Sequence, residues 1–200
     1  MSQPFLDAVR ARRSIYAIGK ESPLPVAQIE EIIKQAVLHA PSSFNSQAGR
    51  VVLLIGKEHD DLWELIRSTL REVQSPEHFE NTNGRLTGFQ KGYGTILFFE
   101  DQAALNQFKD KYASYKDDFD SFSLQSSGIL QYIVWTALEK EGYGATLQHY
   151  YKDGVAEKIR ARWNLPDSWK LISEVPFGKP TGEPYPKQFQ PVEERFKSFH

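Results

Sequence analysis

The chain contains no cysteine, which excludes disulfides, thiolate nucleophiles and zinc–thiolate sites together and leaves any redox chemistry to a bound cofactor. It also lacks an excess of either charge. Its 24 Lys and Arg stand against 26 Asp and Glu, for a net charge of -2 at pH 7, and the basic residues are dispersed, so the electrostatic footprint of a nucleic-acid binder is missing. No apolar run approaches the length of a membrane span. Met1 to Ser14 carries Asp7, Arg10, Arg12 and Arg13 in place of the apolar stretch of a signal peptide. These absences lead us to expect a cytoplasmic protein with neither a membrane nor a nucleic acid as partner. Familiar catalytic signatures are missing as well. There is no phosphate-cradling P-loop and no Gly-x-Ser-x-Gly elbow. Gly142-Tyr143-Gly144-Ala145-Thr146-Leu147 begins like a dinucleotide fingerprint but lacks the third Gly and follows a helix rather than a strand. The five His residues show no paired metal-ligand spacing.

What is present is a core-forming composition: 40% apolar residues with 13 Phe, 9 Tyr and 4 Trp in 200 residues, enough for one domain spanning 1–200. Helical spacing of Phe5, Ala8, Val9 and Arg12 predicts a helix over residues 3 to 13. Pro25 opens a second helix with Val26, Ile29, Ile33, Ala36, Val37 and Ala40 on one face, which Pro41 should stop. Val51–Gly56, Thr95–Phe99 and Leu171–Gly178 read as strands, Gly144–Tyr151 as a strand and turn. Further helices are expected over 58–74, 102–112 and 153–163. Leu130, Ile133, Val134, Ala137 and Leu138 mark a long central helix capped at Gly142. Residues 75–93, with Ser75-Pro76, Asn83-Gly84, Gly88 and Gly92, read as a long mobile loop over a site. The last stretch, with six prolines from Pro166 to Pro191, reads as an extended arm.

Two clusters carry chemistry. Ala40-Pro41-Ser42-Ser43-Phe44-Asn45-Ser46-Gln47 sets several uncharged donors and acceptors directly after a helix end, suited to the edge of a planar heterocycle, although such stretches also form plain turns. Arg12-Arg13-Ser14 places two guanidinium forks and a hydroxyl together, suited to a phosphate monoester or, alternatively, to the dipole at a helix C-terminus.

The order Arg12-Arg13-Ser14, Ala40-Pro41-Ser42-Ser43-x-Asn45-x-Gln47, Gly142-x-Gly144-Ala145-x-Leu147-Gln148-His149-Tyr150, Pro176-Phe177-Gly178-Lys179-Pro180 and Lys187 resembles the FMN-dependent nitroreductase family, in particular its compact branch of fatty-acid-response nitroreductase-like proteins. The resemblance implies an α+β fold with a mostly antiparallel central sheet between helices, assembled as an intertwined homodimer with FMN at the subunit interface. Residues 180–200 would form an arm on the partner subunit. Arg12 and Ser14, with Lys187, would hold the FMN phosphate and ribityl chain, with Arg13 against the same region. Pro41, Ser42, Ser43, Asn45 and Gln47 would line the flavin from the other subunit, and the backbone around Gln148 and His149 would approach its N5/O4 edge. Tyr16 stands where many relatives carry a second basic residue. The implied activity is ping-pong hydride transfer from NADH or NADPH to a small planar acceptor such as a nitroaromatic or quinone, with no catalytic side chain because the flavin carries the chemistry. A flavin-binding regulatory or redox-sensor protein with low turnover would use the same residues. The 75–93 segment and the aromatics from Tyr112 to Phe122 are the expected determinants of the acceptor.

Overall fold

The apolar run at Thr95–Phe99 forms the middle of a strand, β3 (Gly94–Asp101), that is buried along nearly its whole length, because helices cover both faces of the sheet to which it belongs. In the computed structural model, which describes residues 3–200, the chain runs α1 (Gln3–Ala11), β1 (Ile18–Gly19), α2 (Val26–His39), β2 (Gly49–Ile55), α3 (Lys57–Val73), α4 (Pro76–Gln90), β3, α5 (Gln102–Lys111), α6 (Phe119–Lys140), β4 (Gly144–Ala145), α7 (Val155–Arg162), β5 (Trp169–Pro180) and the single turn α8 (Val192–Arg195). The strands form one sheet in the order β1-β5-β3-β2, with β4 also on β5. Every ladder is antiparallel, as expected for an α+β fold.

Strand alternation divides the core in two. Leu54, Leu97, Phe99 and Leu171 point to one face, where they meet Leu62, Trp63 and Ile66 of α3, Leu86 and Phe89 of α4, and Ile159 of α7. Ile96, Phe98, Val175 and Phe177 point to the other, against Ile29 and Ile33 of α2 and Leu130, Val134 and Leu138 of α6. β1 reaches β5 only because residue 178 is glycine: a Cβ there would lie 2.2 Å from the carbonyl oxygen of Gly19. β2 contributes a seven-residue ladder to β3 alone and forms the sheet edge.

The structure departs from expectation at several points. Residues 75–93 are not a loop: they carry the fifteen-residue α4. Ser75 accepts a hydrogen bond from the His78 N–H and Pro76 sits at the first helical position, so the dipeptide that resembles a loop signal is a helix start. Thr82, Leu86 and Phe89 are buried along one side of it, while the space around Gly84 and Gly88 is open. Packing of the buried side outweighs the poor helix propensity of those two glycines.

The central helix is also longer than the apolar spacing predicts, beginning at Phe119. The expected cap at Gly142 is present, with φ at +86°. The expected strand and turn over 144–151 shortens to β4 and a single antiparallel bridge between Gln148 and Glu174. No described helix is long and apolar enough to cross a membrane.

Candidate functional site

α1 ends at Ala11, and the next three residues are fixed by two different neighbours. Ser14 forms a parallel bridge with Ala145 of β4, and the Ile15 N–H donates to the Ala145 carbonyl at 3.0 Å. From α6, the carboxylate of Glu139 takes the Arg13 N–H on both oxygens, at 2.7 and 2.9 Å. Burial raises the Glu139 carboxyl above the usual carboxylate range, against the pull of that N–H and of the Arg12 and Arg13 charges. The Arg12 guanidinium lies over the Trp135 ring at 4.3 Å from its centroid and over Tyr132 at 5.9 Å, and its buried Nε has no hydrogen-bond partner among the described residues. Arg13 reaches the other way and donates to the Tyr185 carbonyl at 2.5 Å, tying the start of the C-terminal arm to this corner. Gln148 and His149 follow β4, so the structure brings them onto the same edge as Arg12–Ser14. Lys187 lies on the arm just past Tyr185, with its ammonium over the Phe189 ring at 5.0 Å.

The second cluster lies elsewhere. α2 stops where Pro41 requires, with Ala40 extended at φ -64° and ψ 124°. Phe44, Asn45 and Gln47 then adopt positive φ of 55°, 53° and 49°, a conformation that non-glycine residues hold only where the surroundings impose it. The hydroxyl of Ser42 accepts the Gln47 N–H at 3.0 Å and the Ser43 N–H donates to Ser126 Oγ of α6 at 3.2 Å. The first contact closes the turn and the second fixes it to α6. The exposed side chains of Asn45 and Gln47 make no hydrogen bond among the described residues, which leaves them available to a ligand. The Phe44 ring packs on Tyr112 at 4.6 Å, on Phe119 at 5.5 Å and on Tyr115 at 5.6 Å between centroids. Beside this loop a groove of about 740 Å³ runs from α2 to α6 across β2, with Pro41, Ser42 and Gln47 at its rim, Val37 and Leu38 on one wall and Glu100, Ser123 and Ser127 at its floor.

The two clusters therefore contact opposite parts of α6, one at Ser126 and the other at Trp135 and Glu139. The intervening helix is roughly 14 to 20 Å long at about 1.5 Å per residue. Within one chain they do not converge. Sequence reasoning missed Glu139, Trp135 and Tyr132, and nothing in their local pattern separates them from ordinary residues of an amphipathic helix. It also missed Phe44, whose role depends on a backbone conformation that β-branched or aromatic propensity would not suggest. The described residues contain no group of His, Cys, Asp and Glu that could hold a metal.

This arrangement can be compared with known proteins. The Nitroreductase family model matches residues 9–179. HBN1 of Saccharomyces cerevisiae is 30% identical over 190 residues, and the nitroreductase FRM2 of the same yeast is 28% identical over 187; each alignment covers 92% of this chain and 92% of the relative. Among solved structures, nitroreductase CinD from Lactococcus lactis in complex with chloramphenicol superposes with a TM-score of 0.89 at 38% identity, over 98% of this chain and all of that one. The same protein in complex with 4-nitrophenol gives a TM-score of 0.88. With a family match across most of its length and the nitroreductase-like fold, the chain belongs to the nitroreductase family.

Proposed function

We propose that the chain is an FMN-dependent NAD(P)H oxidoreductase that reduces nitroaromatic, quinone or similar planar electrophilic acceptors, and that it works as a homodimer with FMN at the subunit interface. The observation that carries this reading is the separation of the two clusters along α6. If two copies pack α6 on α6 about a two-fold axis, the Ser126 end of one helix lies beside the Glu139 end of the other. The Arg12–Ser14 corner of one protomer then meets the Ser42–Gln47 loop of its partner. Leu124 and Ile129 on α6 are half or nearly half exposed in the single chain, and such a pairing would cover them.

The residues present suit the cofactor. The unpartnered Nε of Arg12 and the hydroxyl of Ser14 offer donors to a phosphate and a polyol chain, with Arg13 against the same region and Lys187 supplying a second cation. Asn45 and Gln47, with Pro41, Ser42 and Ser43 framing them, offer uncharged donors and acceptors to a heterocycle edge from the other protomer. The Gln148–His149 backbone closes the remaining side. Bound FMN would supply the hydride acceptance and donation that no side chain here can perform.

The protein's part is to orient and to shield. A pocket that admits nicotinamide and acceptor in turn favours flat π-systems, and Phe44 with Tyr112 and Tyr115 gives it an aromatic wall. The CinD structures, with chloramphenicol, 4-nitrophenol and nicotinic acid as ligands, support that choice of acceptor and donor chemistry. The test is the visible absorption spectrum of the purified protein, identification of the released chromophore, and NADH or NADPH oxidation with 4-nitrophenol and with menadione. Bound FMN and rapid turnover are expected. A protein that neither contains nor takes up FMN would overturn the proposal, and FMN with negligible turnover would favour the regulatory alternative.

A further inference from the structure

Glu174 of β5 is a wholly buried carboxylate residue in the middle of a sheet, on the face that otherwise packs Leu97 and Trp63. Its side chain takes a hydrogen bond from the backbone of the segment that follows β4. The Tyr150 N–H donates to Oε2 at 2.8 Å. The main chain of Glu174 exchanges two further bonds with Gln148, donated by the Gln148 N–H at 2.7 Å and by the Glu174 N–H at 3.0 Å. One residue thus makes three hydrogen bonds to two positions of the segment, Gln148 and Tyr150. The other carboxyl oxygen, Oε1, is buried with no partner among the described residues.

The Tyr150 N–H favours the charged form, but a charged carboxylate with one oxygen unpartnered in an apolar core is strongly disfavoured, and on ionising it would turn toward water and leave the segment it holds. Burial accordingly pushes the Glu174 carboxyl up to about 8. The groups around it give little compensation. Tyr150 packs edge-on to Trp63 of α3 and Phe89 of α4, and α7 brings Val155 and Ile159 to the same core. The charged and titratable groups near this segment are the Tyr150 phenol, on which Arg85 of α4, Glu174 itself and Tyr16 act, the exposed His149 within it, and His59 of α3. His59 is itself buried and held neutral, its pKa lowered to about 4 by that burial.

We propose that Glu174 is a positioning residue for the flavin: its buried side chain fixes the Gln148–Tyr150 backbone that closes the cofactor site, so that removing it, or drawing it toward water, loosens the grip on the ring rather than on the phosphate. The inference rests on the FMN site proposed above and adds a residue to it that touches no cofactor. It also makes cofactor binding depend on a proton buried in the sheet.

The experiment uses the full-length protein and its Glu174→Gln and Glu174→Ala variants, stripped of cofactor and titrated with FMN between pH 7 and 9 while the flavin absorption band is followed. This range lies above the second ionisation of a phosphate, near pH 6. The wild type should lose FMN affinity, and its flavin band should move, with an inflection near the pH at which Glu174 ionises. Glu174→Gln keeps an acceptor for the Tyr150 N–H but cannot ionise. It should bind FMN within about threefold of wild type at pH 7 and show no inflection. Glu174→Ala should weaken FMN binding by about tenfold or more, a change of about 1.4 kcal/mol, and shift the band at pH 7. If the alanine variant fails to fold, the glutamine variant decides alone. An inflection that survives in Glu174→Gln, or an unchanged affinity and spectrum in a folded Glu174→Ala, overturns the inference while leaving the FMN reading intact. A wild type that takes up no FMN overturns both.

Discussion

A guanidinium with a buried, unpartnered Nε, as in Arg12, is an uncommon expenditure of hydrogen-bonding capacity, since buried donors in folded proteins are nearly always satisfied. The ring of Trp135 supports its plane but offers no acceptor. An anion arriving beside Arg12 would satisfy it, and charge-assisted hydrogen bonds contribute about 1.5–3 kcal/mol each. Arg12→Ala should therefore weaken FMN binding by roughly tenfold to a hundredfold, read by equilibrium titration; unchanged affinity would show that the phosphate lies elsewhere. Two other buried residues set how stability responds to pH. His59 places Nδ1 2.8 Å from Thr95 Oγ1 and Nε2 3.2 Å from the Gln90 carbonyl. The Gln90 carbonyl can only accept, so Nε2 carries the proton, and the Thr95 hydroxyl donates to Nδ1 while accepting from Trp63 Nε1 at 3.0 Å. His59 must stay neutral for this to hold, and its pKa falls from 6.5 to about 4 through burial. Between those values the unfolded chain binds the extra proton, so stability falls as pH drops through this window. Glu174 acts with the opposite sign. Its folded pKa is raised from 4.5 to about 8 by burial, so the folded chain holds the extra proton and stability falls as pH rises between them. The two slopes, each about 1.4 kcal/mol per pH unit, oppose each other between pH 4.5 and 6.5, where Glu100 and Glu139, also raised by burial, add to the Glu174 side. From pH 6.5 to 8 the Glu174 slope stands alone. Urea unfolding across this range should show wild-type stability declining above pH 6.5 and Glu174→Gln staying level; parallel curves for the two proteins would refute the assignment.

α4 and α6 are the elements on which sequence reasoning and structure part, and for opposite reasons. In α4 the punctuating residues Ser75, Pro76, Gly84 and Gly88 suggest a loop, yet Ser75 caps, Pro76 starts the helix, and both glycines face open space. Arg67 of α3 clasps the helix by donating to Asn83 Oδ1 at 2.8 Å and to Gln90 Oε1 at 2.9 Å, long-range bonds that no local window contains. In α6 the first half buries Ser123, Ser127 and Gln131, so its inward stripe is polar and hydrophobic periodicity begins only near Leu130. Gln131 satisfies that stripe by donating to Ser127 Oγ at 2.8 Å. The elements whose inward residues are mostly apolar, α2, β2, β3 and β5, are all legible to within a few residues. The same geometry yields a prediction for α4. Because an added methyl at position 84 or 88 meets nothing within 4 Å and alanine restricts the unfolded chain, Gly84→Ala and Gly88→Ala should each stabilise the protein by about 0.5–1 kcal/mol. Measured by urea unfolding, such gains would match a formed helix. No gain from either would mean that residues 76–90 spend much of their time outside it.

At the scale of the whole molecule, the arm from Thr181 onward is the part with least internal support. Tyr185, Phe189, Val192, Phe196 and Phe199 are between 64% and 92% exposed, an apolar series that a lone chain would leave to water. Beyond the Arg13 bond to the Tyr185 carbonyl and the Tyr16–Tyr185 ring contact at 5.8 Å, little fixes it. This explains how far the site was readable. The motif residues could be named from their order along the chain, but their division into two halves roughly 14 to 20 Å apart on α6 exists only in three dimensions. In the proposed dimer the arm wraps the partner, and the groove beside the Ser42–Gln47 loop, with Val37 and Leu38 on its wall, is a surface it could cover. Replacing both Phe189 and Phe196 with Ser removes apolar area that is exposed in the single chain, so it should alter protomer stability by no more than about 0.5 kcal/mol. The interface would lose both aromatic anchors. If each truncation costs the dimer about 2 kcal/mol and both copies carry the change, association should weaken by several orders of magnitude. Sedimentation at micromolar concentration should then give a monomer with a near-native melting temperature. If neither half-site is complete alone, as the shared-site proposal holds, FMN should be released in step with dissociation and recovered as protein concentration rises. A double variant that sediments as a monomer yet retains FMN would place the whole cofactor site within one chain and end the shared-site proposal.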